Sequence, residues 1–129
     1  MSKVLFLDDN PSRISVFKGV CPNADIATTA EETINFLNNL DSYDLVSLDH
    51  DLNGEVFVDS NREDCGFEVV RWIIDNKPTI GKIIIHSHNG PAAFRMVNAL
   101  FNSGYDARKI SFGPIYFAFL GLTSQPPSL

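Results

Sequence analysis

The stretch at residues 44–51, Asp-Leu-Val-Ser-Leu-Asp-His-Asp, carries the strongest information about the fold. It is a short apolar run that ends in two carboxylates and an imidazole. Residues 3–9, Lys-Val-Leu-Phe-Leu-Asp-Asp, and residues 82–89, Lys-Ile-Ile-Ile-His-Ser-His-Asn, repeat this design. Short, continuous apolar runs are typical of strands buried on both faces of a parallel sheet. The three runs therefore predict parallel strands whose polar ends meet at one edge, where open parallel sheets bind their ligands.

Helix signals separate these strands. Asn10 and Pro11 precede one predicted helix, Thr29 caps a second, and Gly104 ends the last. The predicted strands cover 3–7, 24–28, 44–48, 82–85 and 109–112, and the predicted helices cover 12–19, 30–40, 66–76 and the segment from Pro91 to Gly104. Because strands and helices alternate, we predict a single α/β domain over residues 1–129. Residues 115–122 are apolar enough to pack on the sheet, and the tail from about residue 123 is predicted to be flexible.

The composition restricts the class of partner. The net charge of −6 and the isoelectric point near 4.8 disfavour duplex nucleic acid, because duplex binding depends on a basic surface. A small phosphorylated ligand remains compatible with this charge. Two cysteines without C-x-x-C spacing predict reduced thiols rather than a disulfide framework. No apolar segment approaches the roughly 20 residues that span a bilayer, so we expect a cytoplasmic protein without a membrane partner.

The connection at residues 52–65 is unusually long for a compact domain. It contains Asn53-Gly54, a turn sequence typical of hairpins, followed by the β-like Glu-Val-Phe-Val. We predict that this connection forms an arm over the polar edge of the sheet and that it is more mobile than the strands.

Four carboxylates lie at the ends of the first and third predicted strands. Asp8 and Asp9 repel each other unless a cation offsets their charge, and Mg²⁺ prefers such oxygen ligands. Asp49 and Asp51 are spaced so that both side chains can face one pocket. We therefore predict that these four residues bind a metal. The alternatives are that one acid of the first pair caps the next helix while the other is solvated, and that the second pair belongs to a polar turn.

All three histidines of the chain lie at these strand ends. His86 and His88 fall on one side if their strand persists, and His50 follows the neighbouring strand. Imidazoles beside carboxylates could bind a transition metal, or they could act as general acid and base near neutral pH. The alternative is one buried, hydrogen-bonded histidine and one exposed histidine.

Two kinds of group could bind a phosphate near these histidines. Asn89 precedes a predicted helix whose N-terminal N–H groups attract anions. Arg62 and Arg13 are candidate phosphate clamps or, alternatively, solvated surface charges.

Asp8-Asp9, Asp49 and Ser87 together resemble the pattern of response-regulator receiver domains, over residues 3 to about 114. The resemblance implies a flavodoxin-like five-stranded parallel sheet in the order 2-1-3-4-5, with helices on both faces. It also implies that the three aspartates hold Mg²⁺, that Asp49 accepts a phosphoryl group and that Ser87 contacts this group.

Two departures from the receiver pattern are visible. Gly113 stands where receivers carry a lysine after the fifth strand, which weakens the case for signalling by phosphorylation. The last helix is predicted to be reduced or absent.

The motifs LFLDD, SLDHDL, GFEVVRWI and IHSHN resemble, more narrowly, the cyclic-phosphate-processing receiver-like family. This resemblance implies a metal-assisted phosphoesterase that acts on a cyclic phosphate or a nucleotide-type phosphodiester, with Mg²⁺ as the cofactor and Mn²⁺ as the alternative. The expected partner is a small phosphorylated ligand or a cyclic nucleotide. The predicted catalytic residues are His86, His88 and His50, the predicted metal ligands are Asp8, Asp9, Asp49 and Asp51, and the predicted phosphate contacts are Ser87, Asn89 and Arg62. The competing interpretations are a non-catalytic receiver-like module that binds a phosphate or nucleotide, and a structural or inhibitory protein.

Overall fold

Five parallel strands form one sheet in the order β2-β1-β3-β4-β5 in the computed structural model of this protein. The structure describes residues 3–52, 59 and 61–120. The strands are β1 (Val4–Leu7), β2 (Asp25–Ala27), β3 (Ser42–Leu48), β4 (Thr79–Ile85) and β5 (Ala107–Lys109), and the helices are α1 (Pro11–Val20), α2 (Ala30–Asn39), α3 (Gly66–Asn76), α4 (Gly90–Asn102) and α5 (Pro114–Leu120). The predicted α/β class and strand order are confirmed.

Two apolar cores lie on opposite faces of the sheet, because side chains alternate along each strand. The larger core packs β-strand residues such as Leu48 and Ile85 against α2, α3 and α4. The smaller core packs Phe6 and Ile84 against Phe17 of α1 and Tyr116 of α5. Helices therefore cover both faces, and α1 and α5 share the face that also carries the functional side chains described below.

The helix starts follow the sequence signals. Asn10 accepts a hydrogen bond from the Arg13 amide at 3.0 Å, and Thr29 accepts one from the Glu32 amide at 3.1 Å. Asn89 caps α4 through the Ala92 amide at 3.3 Å. Each cap satisfies an N–H group that has no partner within its helix. These caps fix where the chain turns from the sheet edge into a helix.

The end of the domain corrects one prediction. The fifth strand was predicted at 109–112, but β5 covers Ala107–Lys109. The apolar residues Ile110 and Phe112 that suggested a strand pack against the smaller core instead. The last helix, α5, is short, with seven residues, as predicted.

Two predictions lie outside the described residues. Half of the proposed arm, including its Asn-Gly turn, falls at 53–58 and 60, and the tail predicted to be flexible falls within 121–129. None of the described helices is long and apolar enough to cross a membrane.

Candidate functional site

Asp8, Asp49 and His86 form a row across the polar edge of the sheet. They follow Leu7, Leu48 and Ile85, which are paired in register across β1, β3 and β4. One ligand atom from each of the three residues lies within 4.8 Å of the others. The register of three neighbouring strands thus places two carboxylates and one imidazole together.

Backbone hydrogen bonds extend the sheet by one residue at each of these positions. The Asp8 amide donates to Ala27 at 3.1 Å, and the Asp49 amide donates to Leu7 at 3.0 Å. The His86 amide donates to Leu48 at 3.0 Å. Because the ladder continues, all three side chains point to the face covered by α1 and α5, where they are almost fully buried.

Asp8 accepts four hydrogen bonds, which is the full capacity of an ionised carboxylate. Its Oδ2 atom accepts from Arg13 Nε at 2.6 Å and from His86 Nε2 at 3.0 Å. Its Oδ1 atom accepts from Arg13 Nη2 and from the Asn10 amide, each at 2.9 Å. Burial alone would raise the pKa of Asp8, but the hydrogen bonds from His86 and Arg13 lower it to about 2. Asp8 is therefore a permanent anion at neutral pH.

The pKa of Asp49 is shifted in the opposite direction from that of Asp8. Its Oδ1 atom accepts from the His50 amide at 2.8 Å, while Arg13 Nη2 is 3.5 Å from its Oδ2 atom. Burial raises the pKa of Asp49, and the negative charge of Asp8 raises it further, against the opposing effects of the hydrogen bond from the His50 amide and of the Arg13 charge. Asp49 thus retains lone pairs that a new cation or donor could use.

His86 lies at one end of a buried chain of hydrogen bonds. Its Nδ1 atom is 2.7 Å from Ser47 Oγ, and Ser47 Oγ is 2.6 Å from the hydroxyl of Tyr116. The ring stacks on Phe6 with centroids 4.8 Å apart. All of these side chains are buried, so the chain connects the carboxylates to α5 through the interior of the domain.

His50 and Asp51 belong to a second cluster rather than to the row. The His50 Nδ1 atom is 2.7 Å from Asp51 Oδ1, which also accepts a hydrogen bond from Asn89 Nδ2 at 3.2 Å. The imidazole hydrogen-bonds Cys65, the N-cap residue of α3. Burial alone would lower the pKa of His50, but its hydrogen bonds to Cys65 and Asp51 raise it. Burial alone would raise the pKa of Cys65, but the hydrogen bonds from His50 and from helix amides lower it. Asp51 therefore orients an imidazole and is not directed at the row.

The other predicted residues are spread around the row. His88 is exposed, because β4 ends at Ile85 and the alternation that would have placed it beside His86 does not continue. Ser87 is buried and accepts a hydrogen bond from the Asn89 amide at 3.1 Å. Asp9 is half-buried and its charge acts on Arg13. Arg62 pairs with Asp64 at 2.6 Å and lines an open pocket beside the start of α2.

Sequence reasoning gave Arg13 too small a role and missed Ser47 and Tyr116. Arg13 was only an optional phosphate clamp, yet its guanidinium contacts both buried carboxylates. A signal for Ser47 existed, because it interrupts an apolar strand and a buried hydroxyl needs a partner. Tyr116 is similarly the only hydroxyl in the apolar segment at 115–122.

The row fits a divalent cation on two grounds. Ligands on opposite sides of Mg²⁺ stand about 4 Å apart, because each bond is about 2.1 Å long, and the row is within a small side-chain rotation of that spacing. The three nearby carboxylates of Asp8, Asp9 and Asp49 also outnumber the single guanidinium. Because Asp8 has no spare lone pair, however, an ion that binds it must displace one of its donors. Asp8, Asp49 and Asp9 are the residues that would hold the ion.

Comparison with known proteins gives a family and a fold. The model of the family described as the cyclic-phosphate processing receiver domain matches residues 3–102. A signal receiver domain of a putative Luxo repressor protein from Vibrio parahaemolyticus is similar, with a TM-score of 0.64, 19% identity, and coverage of 93% of this chain and 86% of that chain. A two-component response regulator from Clostridium difficile has a TM-score of 0.62 at 18% identity, with 94% and 92% covered.

A third solved structure is similar to this chain in the same way. It is a response regulator from Burkholderia pseudomallei with a phosphorylated aspartic acid, a calcium ion and citrate, and it has a TM-score of 0.64 at 13% identity, with 96% of this chain and 68% of that chain covered. At these identities, the likeness to solved structures shows the fold alone. A search of the curated proteins finds no match.

Proposed function

We propose that this chain, which belongs to the cyclic-phosphate processing receiver domain family, is a metal-assisted phosphoesterase that acts on a cyclic phosphate or a nucleotide-type phosphodiester. The observation that carries the proposal is the buried row of Asp8, Asp49 and His86, with Arg13 in contact with both carboxylates. A phosphodiester is an anion whose hydrolysis requires charge neutralisation and proton transfer, and the row offers groups for both.

The cation expected at the carboxylates is Mg²⁺, with Mn²⁺ as the alternative. The Burkholderia pseudomallei regulator is described with a calcium ion, and another similar structure is described as the Mn²⁺-bound form of the response regulator Rcp1. These descriptions support the proposal that this chain binds a divalent cation. A bound divalent ion would neutralise phosphate oxygens and lower the pKa of a bound water.

The residues of the chain supply the remaining functions. Arg13 has a partly exposed side chain and offers N–H groups to a phosphate oxygen. His86 directs its Nε2 atom toward Asp8 and is a hydrogen-bond donor at the buried side of the row. His88 is exposed and follows His86 by two residues, so we assign it the transfer of protons between the pocket and solvent.

Turnover measurements test this proposal. Cyclic 2′,3′- and 3′,5′-mononucleotides and a linear phosphodiester would be incubated with the protein and Mg²⁺, Mn²⁺ or a chelator. We expect one cyclic class to turn over only with a metal, and we expect the Asp49→Asn and His86→Gln variants to lower kcat by roughly 10²–10⁴-fold. Asp41→Asn, a change at an exposed carboxylate, is the matched control and should retain activity. Metal-independent turnover, or full activity in both site variants, would contradict the assignment.

A non-catalytic, ligand-binding receiver-like module is the second candidate, and the saturation of Asp8 favours it. Four donors already satisfy this carboxylate, so its burial needs no bound ion. In this case, calorimetry would detect binding of a nucleotide or of inorganic phosphate in the absence of any turnover. Hydrolysis of the bound ligand would exclude this candidate.

A further inference from the structure

The hydrogen bonds that link α5 to the row determine where the proton of His86 resides. Three bonds form one continuous chain: Tyr116 hydroxyl to Ser47 Oγ at 2.6 Å, Ser47 Oγ to His86 Nδ1 at 2.7 Å, and His86 Nε2 to Asp8 Oδ2 at 3.0 Å. Ser47, His86 and Tyr116 are each no more than 1% exposed, so water does not compete for these groups.

Each hydroxyl carries one proton, and this fixes the direction of the chain. Among the residues that the structure describes, Ser47 is the hydrogen-bond partner of the Tyr116 hydroxyl, so Tyr116 donates to Ser47. The Ser47 proton then points to His86 Nδ1, which accepts it. Because the ionised Asp8 can only accept, the ring proton lies on Nε2. In this arrangement every donor proton of the three hydrogen bonds has an acceptor. The reversed arrangement leaves the Tyr116 proton without an acceptor.

We propose that Ser47, which accepts a hydrogen bond from Tyr116, is a positioning residue that holds the proton of His86 on Nε2 and thereby keeps this imidazole out of the coordination sphere of any metal bound at the row. The inference rests on the proposed metal site and adds which metal ions that site selects. A metal can bind a ring nitrogen only through a free lone pair, and Nε2, the nitrogen that faces Asp8, has none while it carries the proton.

The consequence is a site that offers oxygen ligands alone. Mg²⁺ and Mn²⁺ suit carboxylates and water, whereas Zn²⁺ binds imidazole readily. We call the three hydrogen bonds from Tyr116 through Ser47 and His86 to Asp8 the relay. Without the relay, Asp8, Asp49 and His86 would form a mixed oxygen and nitrogen ligand set that suits Zn²⁺. With the relay, Zn²⁺ can use His86 only after the two hydrogen bonds of Ser47 reverse and the bond from Nε2 to Asp8 breaks. His86 therefore stays bonded to Asp8, and Arg13 is the donor that an entering metal displaces.

Nitrogen NMR of the imidazole rings tests the relay directly. In the metal-free wild type, the His86 signals should show a protonated Nε2 and an acceptor Nδ1, and His86→Gln identifies them by their disappearance. Saturating Mg²⁺ should leave this tautomer unchanged. In Ser47→Ala, no hydroxyl donates to Nδ1, so the ring proton can move to Nδ1 without reversing a hydrogen bond, and Nε2 becomes available. We expect the affinity for Zn²⁺, followed at the His86 nitrogens, to rise about tenfold, because binding no longer strands a buried hydroxyl proton. Affinity for Mg²⁺ should remain within about twofold of wild type, since its oxygen ligands are untouched.

Two further variants make the test decisive. Tyr116→Phe keeps the Ser47 donor to Nδ1, and moving the ring proton would strand the Ser47 proton in place of the Tyr116 proton. This variant should therefore keep the wild-type tautomer and a Zn²⁺ affinity within about twofold of wild type, and a change of tautomer would contradict the assignment to Ser47. Tyr105→Phe is the matched control: its hydroxyl donates to the Pro78 carbonyl at 2.7 Å, away from the row, and its loss should leave both affinities unchanged.

The outcomes separate this inference from the proposed function. A proton on Nδ1 in the metal-free wild type, or Zn²⁺ bound to His86 Nε2 in the wild type, would overturn the relay while leaving a Mg²⁺ site in place. If Mg²⁺ does not bind at all, the proposed metal site is lost and the selectivity with it, whereas the metal-free tautomer still decides the relay.

Discussion

Replacing each of the two buried carboxylates in turn should affect the stability of the metal-free protein differently. Asp8→Asn removes an anion that accepts four hydrogen bonds, two of them from a guanidinium. Asp49→Asn removes an anion that burial and the charge of Asp8 disfavour. We therefore expect Asp8→Asn to destabilise the fold at pH 7 and Asp49→Asn to leave it unchanged or more stable.

The magnitude for Asp8 follows from its pKa. A fall from the ordinary value of 3.8 to about 2 corresponds to about 2 kcal/mol of stability, because each pKa unit is about 1.4 kcal/mol. The folded pKa lies below the unfolded pKa, so this contribution is fully present above about pH 4 and is lost as the pH falls through 2. At pH 3, roughly half of it should remain. For Asp49, whose folded pKa is raised, the contribution is unfavourable and develops as the pH rises above the unfolded value.

Urea denaturation at pH 7 and pH 3, followed by the fluorescence of the single tryptophan, Trp72, measures both effects. The difference in unfolding free energy between wild type and Asp8→Asn should be about 2 kcal/mol at pH 7 and about half as large at pH 3. Carboxylates remote from the pocket titrate equally in both proteins and cancel in the difference. An Asp8→Asn variant as stable as wild type at pH 7, or a difference that grows on acidification, would refute the reasoning.

Two other substitutions test the same pocket. Arg13→Gln should lower the unfolding free energy of the metal-free protein by about 1–3 kcal/mol, because the buried carboxylates lose their charged partner. It should also strengthen Mg²⁺ binding in calorimetry, since the ion no longer displaces a guanidinium from Asp8. Unchanged Mg²⁺ affinity would show that Arg13 does not compete with the ion. Gly66→Ala should lower the unfolding free energy by about 1–3 kcal/mol in urea denaturation, because an added Cβ would collide with the Asp49 backbone carbonyl. Gly90 is also the first residue of its helix but has open space around it, so Gly90→Ala should leave the unfolding free energy unchanged. Equal stability of the two alanine variants would contradict the close packing of α3 on Asp49.

The sequence predicted the sheet edge well, because the information was local. An apolar run followed by a carboxylate or imidazole marks both a strand and its end, and the parallel topology then brings the ends together. The register that aligns Leu7, Leu48 and Ile85 follows from this pattern, and so does the meeting of Asp8, Asp49 and His86. The bounds of β5 were wrong because the apolar residues after it serve the core beneath α1 and α5 rather than the sheet.

The grouping of the other charged residues could not be predicted from spacing. His50 and Asp51 were assigned to the same pocket as Asp49, but the chain leaves the strand after Leu48, so alternation no longer fixes where the side chains point. His50 instead meets Asp51 and Cys65, and Cys65 approaches only because α3 begins there. Contacts of this kind depend on tertiary packing, which a single sequence does not encode locally.

The Arg13 guanidinium and the buried relay together explain how two carboxylates can remain adjacent in a nearly dry pocket. Arg13 contacts both anions from α1, and the fixed Nε2 proton of His86 adds a donor to Asp8 from β4. The two donors differ in mobility, because Arg13 is partly exposed whereas His86 is held by Ser47 and Tyr116. A ligand that enters the pocket therefore meets one donor that can move and one that cannot. Exchange of ions and phosphate groups should accordingly proceed by displacement of Arg13, while the hydrogen bond from His86 to Asp8 persists.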